Sequence, residues 1–172
     1  TGDLSLTAGN GTIGTAAVPF SYTIGGRLLA VSAGTDAYLK AVGHDMVVGR
    51  VFAQGLASLH APDGDIIGYL PGVSVSAFDA RLVANGNIGA NGNPFEVQLN
   101  KAGNLTGSAG LSAYVYAPTI TGQPTAILNV DGFTAQSASL SSDGDLTLDN
   151  VSTSLGDLTA AAGQDLKVIN TS

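Results

Sequence analysis

A short segment of this chain returns, altered but recognisable, near the middle of the sequence. Asn10-Gly11-Thr12-Ile13-Gly14 is followed by Pro19-Phe20, and Asn85-Gly86-Asn87-Ile88-Gly89 is followed by Pro94-Phe95 at the same internal spacing. A partial third copy, Gly64-Asp65-Ile66-Ile67-Gly68, precedes Pro71. Such self-similarity is typical of folds in which each unit stacks only on its neighbours. It predicts a repetitive, stacked architecture.

Short runs of alternating apolar and polar residues fill the chain between these segments. No window of a dozen residues has the apolar periodicity of a helix, so the alternation predicts an all-β protein. The inward residues predicted by the alternation are Leu4, Leu6, Ala8, Ala37, Leu39, Ala41, Val73, Val75, Ala77, Phe95, Val97, Leu99, Leu111, Ala113, Val115, Ala117, Ala126, Leu128, Val130, Leu146, Leu148, Leu158, Ala160, Leu166 and Val168.

A recurring Gly-Asp/Asn-Leu phrase marks where many of these runs begin. It occurs at Gly2-Asp3-Leu4, Gly103-Asn104-Leu105, Gly144-Asp145-Leu146 and Gly156-Asp157-Leu158. We expect the glycine to supply a bend with positive φ, the Asp or Asn to accept backbone amides, and the leucine to point inward. Stacked corners of this kind favour a parallel β-solenoid with coils of about 20–25 residues. An antiparallel sandwich or barrel remains the alternative, because Asn10-Gly11 and similar pairs also suit hairpin turns.

The composition suits a narrow core. The chain has 24 glycines among 172 residues, 44% hydrophobic residues, 6% aromatic residues, no tryptophan and no cysteine. The apolar content is therefore mostly Ala, Val, Leu and Ile, which fill a thin interior between closely spaced walls. We expect residues 1–172 to form one solenoid segment, with related units that begin near residues 10 and 85.

Charge argues against a nucleic-acid partner, and polar residues argue against a membrane span. The formal net charge is −7, and the six basic residues are scattered singly along the sequence. Nucleic-acid binding requires clustered Lys and Arg to displace counterions from phosphates, so we expect no nucleic-acid partner. The uncharged stretch 102–130 contains Asn104, Pro118 and Asn129. It therefore predicts strands with uncharged outer faces, and we expect no membrane insertion.

The Gly-x-Ile-Gly, Pro-Phe and Gly-Asp-Leu elements together resemble the central shaft of filamentous haemagglutinin-like adhesins, large bacterial exoproteins often secreted by a two-partner route. The resemblance extends from Gly2 to Val168, although its motifs describe architecture more than activity. It implies a right-handed parallel β-helix, an extracellular or cell-surface location, and a role in adhesion, aggregation or biofilm formation. It also implies neighbouring solenoid repeats as partners, with host or bacterial surface glycans or proteins as further candidates.

No residue pattern predicts a catalytic, cofactor or metal site. His44 and His60 have no second His or Cys at ligand spacing, and lone Asp-Gly-Asp sequences at 63–65 and 143–145 are usually turns rather than calcium loops. Glu96 is the sole glutamate, whereas glycoside hydrolysis uses paired carboxylates. We therefore expect a protein that is not an enzyme. A carbohydrate-binding or polysaccharide-degrading β-helix is the alternative, and Tyr114 and Tyr116, on one strand face, are the residues to test for it.

Overall fold

The computed structural model describes residues 2–23, 26–122 and 125–172. Within these ranges the chain forms strands and no helix, so none of the described segments is a helix that could cross a membrane. The strands are Leu4–Ala8 (β1), Phe20–Tyr22 (β2), Leu28–Ala33 (β3), Ala37–Ala41 (β4), Met46–Ala53 (β5), Leu56–Ala61 (β6), Ile66–Gly68 (β7), Val75–Ala77 (β8), Asp79–Ala84 (β9), Phe95–Leu99 (β10), Leu105–Ala109 (β11), Ser112–Ala117 (β12), Ile127–Ala135 (β13), Ser137–Ser142 (β14), Asp145–Thr153 (β15), Leu158–Ala162 (β16) and Leu166–Val168 (β17).

The strands stack into two parallel sheets that the chain visits in turn. Sheet A has the order β1-β3-β5-β8-β10-β12-β14-β16, with β7 also paired to β5, and sheet B has the order β2-β4-β6-β9-β11-β13-β15-β17. Every pairing between these strands is parallel. The chain is a β-solenoid of about 7 turns. The parallel solenoid prediction is confirmed and the antiparallel alternative is wrong; the right-handed sense stays a prediction, in line with the general handedness of such crossovers.

Coil length varies along the stack. Leu128 pairs with Leu146 on the next coil, whereas Leu6 pairs with Val31. The coil that begins at Leu128 is therefore several residues shorter than the coil that begins at Leu6. The shortest coils fall just below the predicted range. Because every coil must return to the same two sheets, the differences in length are absorbed at corners and in loops that leave the stack.

The core is a thin double column of small and medium side chains. In sheet B, Ala37, Ala57, Ala80 and Leu105 lie in register on successive coils, and all are fully buried. Each fully buried Val or Leu contributes about 1.5–3 kcal/mol of transfer free energy. The largest fully buried side chains are Phe95, Phe133, Leu28, Leu39, Met46, Leu59, Ile66, Leu82, Ile88, Leu105, Leu128 and Leu140.

Away from the ends of the stack, three predicted inward residues do not belong to the core: Val73, Leu111 and Ala126. Ala126 is half-buried and lies just before β13 begins. Val73 is only half-buried because it belongs to a loop that leaves sheet A between β7 and β8. Leu111 is exposed, since it lies at the corner directly after Gly110, before β12 begins. At Val73 and Leu111 the alternating pattern was extended beyond the start of a strand, where it no longer predicts which side chains point inward.

Asp and Asn side chains connect the corners of successive coils. Asp45 Oδ1 accepts the amide of Asp65 at 2.9 Å, Asp65 Oδ1 accepts the amide of Asn87 at 2.6 Å, and Asn87 Oδ1 accepts the amide of Ser112 at 3.1 Å. A second set runs along the corners that enter sheet B, where Asp79 accepts the amide of Asn104. The Asp and Asn side chains therefore accept backbone amides, as expected, and each of these amides belongs to the next coil.

The role expected for the corner glycines is wrong. Gly103, Gly144 and Gly156 do not have positive φ. A Cβ at Gly103 would instead collide with the carbonyl oxygen of Phe78, and one at Gly144 with the carbonyl oxygen of Ala126, both on the preceding coil. Glycine is required at these two corners because backbone from the coil below passes too close for a side chain.

The duplicated segments occupy equivalent positions on opposite sheets. Ile13 bridges to Ala37 of β4 in sheet B, whereas Ile88 bridges to Ala113 of β12 in sheet A. In both copies the chain then forms an outward loop and returns at a phenylalanine, Phe20 or Phe95. From β2 the chain passes through β4, β6 and β9 of sheet B before it reaches β10 of sheet A. The repeat therefore spans three and a half turns. The third copy is one coil earlier in sheet A, where Ile66 bridges to Ile88.

The glycine after the isoleucine is enclosed by backbone atoms in both full copies of the repeated unit. Gly14 and Gly89 have φ of 69° and 66°, and a Cβ at Gly89 would collide with Tyr114 O and Phe95 N. Gly92, in the loop that follows, has φ of 79° but nothing within 4 Å of its Cβ position. A comparison of substitutions at Gly89 and Gly92 therefore distinguishes the cost of backbone strain from the cost of a collision.

Substitution of Gly89 by Ala is expected to destabilise the protein far more than substitution of Gly92 by Ala. The Gly92→Ala variant bears only the left-handed strain, about 1–2 kcal/mol. The Gly89→Ala variant adds a backbone collision, and we expect a total loss of at least about 3 kcal/mol. Urea denaturation followed by circular dichroism measures both. Equal losses would show that packing around Gly89 does not matter.

Candidate functional site

The outer face of sheet A carries a cluster whose members are scattered in the sequence. Glu96 of β10 lies in register with Tyr116 of β12. The Tyr116 hydroxyl donates a hydrogen bond to Asp143 Oδ1 at 2.6 Å, and Thr119 donates its amide to Asp143 Oδ2 at 2.7 Å. We call Glu96, Tyr116 and Asp143 the sheet A polar cluster.

The members of this cluster have displaced pKa values with separate causes. The Asp143 pKa is lowered, first by the Thr119 amide and then by the Tyr116 hydroxyl. The hydrogen bond to Asp143, with partial burial, raises the pKa of Tyr116 to about 12. Burial, followed by the nearby Asp143 charge, raises the pKa of Glu96. Two carboxyls with opposite shifts can divide acid and base roles in catalysis, but the same shifts also arise in structural networks.

A cleft of about 280 Å³ lies beside this cluster, between two outward loops of neighbouring coils. Its lining includes Tyr69, Pro71, Ser74, Asn93 and Glu96. The side chain of Tyr69 is 45% exposed, and the Arg27 guanidinium lies 4.0 Å from its ring centroid. Arg27 in turn binds both carboxylate oxygens of Asp3 at 2.9 Å. This chain of contacts fixes one wall of the cleft to the first coil.

A larger groove of about 580 Å³ runs along the edge where sheet A strands end. The exposed rings of Phe52 and Phe78 line it together with Gln54, Gln98 and Lys101. No ionisable pair is formed there among the described residues. The groove has the mixed apolar and amide lining of a contact surface, without groups arranged for chemistry.

The two histidines lie at unrelated places. His44 is in a corner, where its Nδ1 is 2.6 Å from the carbonyl oxygen of Asp45 and its ring packs 5.3 Å from that of Tyr22. His60 points outward from β6, in register with Lys40 of β4. Burial lowers the His60 pKa, and the charges of Lys40 and Arg81 lower it further, partly opposed by Asp63. The structure therefore does not bring the histidines together.

Basic residues that are isolated in sequence gather around His60. Arg81 lies on β9, the next strand, in register with Ser58, two residues from His60. Coil spacing places the side chains of Lys40, His60 and Arg81 on one outer face, which sequence separation alone did not show. With only two permanent charges and Asp63 nearby, this patch falls short of a phosphate-binding surface.

The Asp-Gly-Asp sequences have backbone partners. Asp63 Oδ2 accepts the amide of Gly43, Asp65 accepts that of Asn87, and Asp145 accepts that of Asp165. In the described part of the chain no three His, Asp or Glu side chains are grouped as a metal ion requires. The two aspartates of each sequence contact different coils and do not converge.

Tyr114 and Tyr116 differ in environment despite sharing a strand face. Tyr116 is held by Asp143, whereas Tyr114 makes no side-chain hydrogen bond among the described residues. Sequence reasoning identified both tyrosines, Glu96 and Asp143 singly but missed their grouping. The signal that would have found it is coil spacing, because Tyr116 follows Glu96 by one coil length.

No protein-family model matches this chain, and neither the curated proteins nor the solved structures contain a match to it.

Replacement of Asp143 by Asn is expected to lower the Tyr116 pKa from about 12 towards the ordinary value of 10.0. Because the folded pKa is raised, the Tyr116 hydrogen bond stabilises the fold fully below pH 10 and is lost as pH rises through about 12. The measurement is an ultraviolet titration of tyrosinate. The difference between the Asp143→Asn variant and the Asp143→Asn/Tyr116→Phe double variant isolates the titration of Tyr116.

Asp145→Asn is the matched control, since Asp145 lies two residues away and accepts only a backbone amide. It should leave the tyrosine titration unchanged. If Asp143→Asn also leaves it unchanged, then burial and not the hydrogen bond sets the Tyr116 pKa.

Proposed function

We propose that this chain is a structural shaft segment of a secreted or cell-surface bacterial adhesin, and that it supports adhesion, aggregation or biofilm formation. The observation that favours the proposal is the continuous stacking of coils. Sheet A runs from β1 to β16 and sheet B from β2 to β17 without a missing strand. At about 4.8 Å per coil, seven coils extend the chain by roughly 34 Å along one axis.

The interactions between coils are those expected of a mechanical, structural element. Successive coils are joined by two strand ladders and by buried columns, and side-chain caps add to this at several corners. In such repeat proteins stability is approximately the sum of coil and interface terms, so that length is added without a new core. The Gly-x-Ile-Gly and Gly-Asp-Leu elements that resemble haemagglutinin-like shafts are located at the corners and outward loops of this stack.

The location and role can be tested on producing cells. Antibodies raised against this chain should label intact cells and reduce their aggregation, and brief protease treatment of the cells should remove the label. Labelling only after the cells are opened would contradict a surface shaft.

A shaft also predicts that whole coils are dispensable. Removal of residues 46–65 joins Asp45 to Ile66, which lies in register with Met46, so one complete coil is lost. We expect the shortened chain to unfold cooperatively, with a loss of stability of a few kcal/mol at most, since neighbouring coils re-pair. Thermal and urea denaturation monitored by circular dichroism provide the measurement.

Removal of residues 56–65 alone is the matched control. It deletes β6 and the corner after it, so two sheet A strands follow each other and the alternation between sheets breaks. This half-coil variant should lose cooperative unfolding. If both deletions behave alike, the coils are not independent structural units and the shaft proposal loses its basis.

A further inference from the structure

Two asparagines lie in the same local sequence but in different structural surroundings. Ala84-Asn85-Gly86-Asn87 and Ala90-Asn91-Gly92-Asn93 are the same tetrapeptide. An asparagine that precedes glycine is prone to deamidation, because glycine has no Cβ to keep its backbone nitrogen away from the asparagine side chain. The two sites have the same immediate neighbours, so a difference in their reactivity within the folded chain must come from the structure.

The stack holds the peptide unit that follows Asn85. The amide of Asn85 donates to the carbonyl oxygen of Ala61 at 3.0 Å, and the amide of Gly86 donates to the carbonyl oxygen of Gly64, also at 3.0 Å. Both acceptors belong to the coil below. From the coil above, the amide of Leu111 donates to the carbonyl oxygen of Gly86 at 3.1 Å. The Gly86 nitrogen therefore cannot turn towards the Asn85 side chain unless contacts with neighbouring coils break.

The peptide unit after Asn91 has no such restraint. It lies in a tight turn of the outward loop before β10, closed by two backbone hydrogen bonds of 3.0 Å between Ala90 and Asn93. Asn91 and Gly92 are exposed at its tip. Among the described residues, neither the Asn91 side chain nor the Gly92 amide has a hydrogen-bond partner. A Cβ at Gly92 would meet nothing within 4 Å, so there is also space for the backbone to rotate.

We propose that Asn91 is a site of spontaneous deamidation and that the stack protects Asn85 from the same reaction. A base removes the Gly92 amide proton, and the nitrogen attacks the side-chain carbonyl carbon, Cγ, of Asn91. The bond between Cγ and Nδ2 then breaks, and the side-chain nitrogen takes up a proton and leaves as ammonia. One water molecule opens the resulting succinimide ring at either carbonyl carbon, which gives aspartate or isoaspartate.

The reaction changes the loop and leaves the stack in place. Each event replaces a neutral amide by a carboxylate on the loop whose Asn93 lines the 280 Å³ cleft beside Glu96. Isoaspartate also lengthens the backbone of the turn by one methylene group. In the described structure the ladders of sheets A and B do not include residues 90–93, so the strand pairing is unchanged. The site is independent of the shaft role proposed above.

One tryptic peptide reports on both asparagines. Residues 82–101 contain Asn85 and Asn91, whereas Asn10, which also precedes a glycine, lies on a different peptide. The folded chain is incubated at mildly alkaline pH, then unfolded and digested at mildly acidic pH, and tandem mass spectrometry locates each converted residue. Because the Gly86 amide must first leave its hydrogen bond, Asn91 should deamidate at least about tenfold faster than Asn85.

The isolated peptide of residues 82–101 is the matched control, because it has the same sequence without the stack. Its two asparagines should deamidate at similar rates. In the folded Asn91→Gln variant the fast conversion should disappear, since a glutamine side chain must close a larger ring, and Asn85 should stay slow.

Two outcomes would overturn the proposal. Equal rates at Asn85 and Asn91 in the folded chain would show that the stack gives no protection. Survival of both amides in the folded chain, over a time in which both react in the peptide, would show that the turn at 90–93 protects Asn91 as well.

Discussion

Hydrogen bonding between successive coils is the constraint on which the whole structure depends. In a parallel solenoid a backbone amide finds its acceptor not in the same hairpin but one full turn along the chain. Every corner must therefore leave its polar groups where the next coil can meet them, since buried unpaired amides are costly. The Asp and Asn side chains that join Asp45, Asp65, Asn87 and Ser112 perform this task where the backbone turns too sharply to pair with itself.

The same constraint fixes which side chains the core accepts. Two sheets joined by short corners lie close together, so columns such as Ala37, Ala57 and Ala80 repeat a small residue at one level. Larger rings enter only where the partner wall leaves room, as at Phe95 and Phe133. At the corners the demand is stricter, because backbone of the coil below leaves no room for a Cβ at Gly103 or Gly144. The close spacing of the coils therefore limits which residues fit. At these two corners glycine is required by lack of space and not by an unusual φ.

Much of the architecture could be predicted from the sequence, because alternation and corner phrases are local signals. Leu146, Leu148 and Ala113 are buried as expected, whereas Val73 and Leu111 are not, since single-strand alternation cannot locate a loop that leaves the sheet. Pairing between coils is a non-local property, and the insertions at 69–74 and 90–94 shift it unevenly. The grouping of Glu96, Tyr116 and Asp143, and of Lys40 with His60, therefore lay beyond sequence reasoning although each residue was visible.

A repeat of three and a half turns has a geometric consequence for whatever lies outside the stack. The two full copies of the unit face opposite directions, so the loops after Ile13 and Ile88 project from opposite flanks of the stack. A filament continued in steps of this size would show the same loop to neighbours on its left and on its right. Lateral bundling of such filaments would then need no second kind of surface, because each flank already presents what the other does.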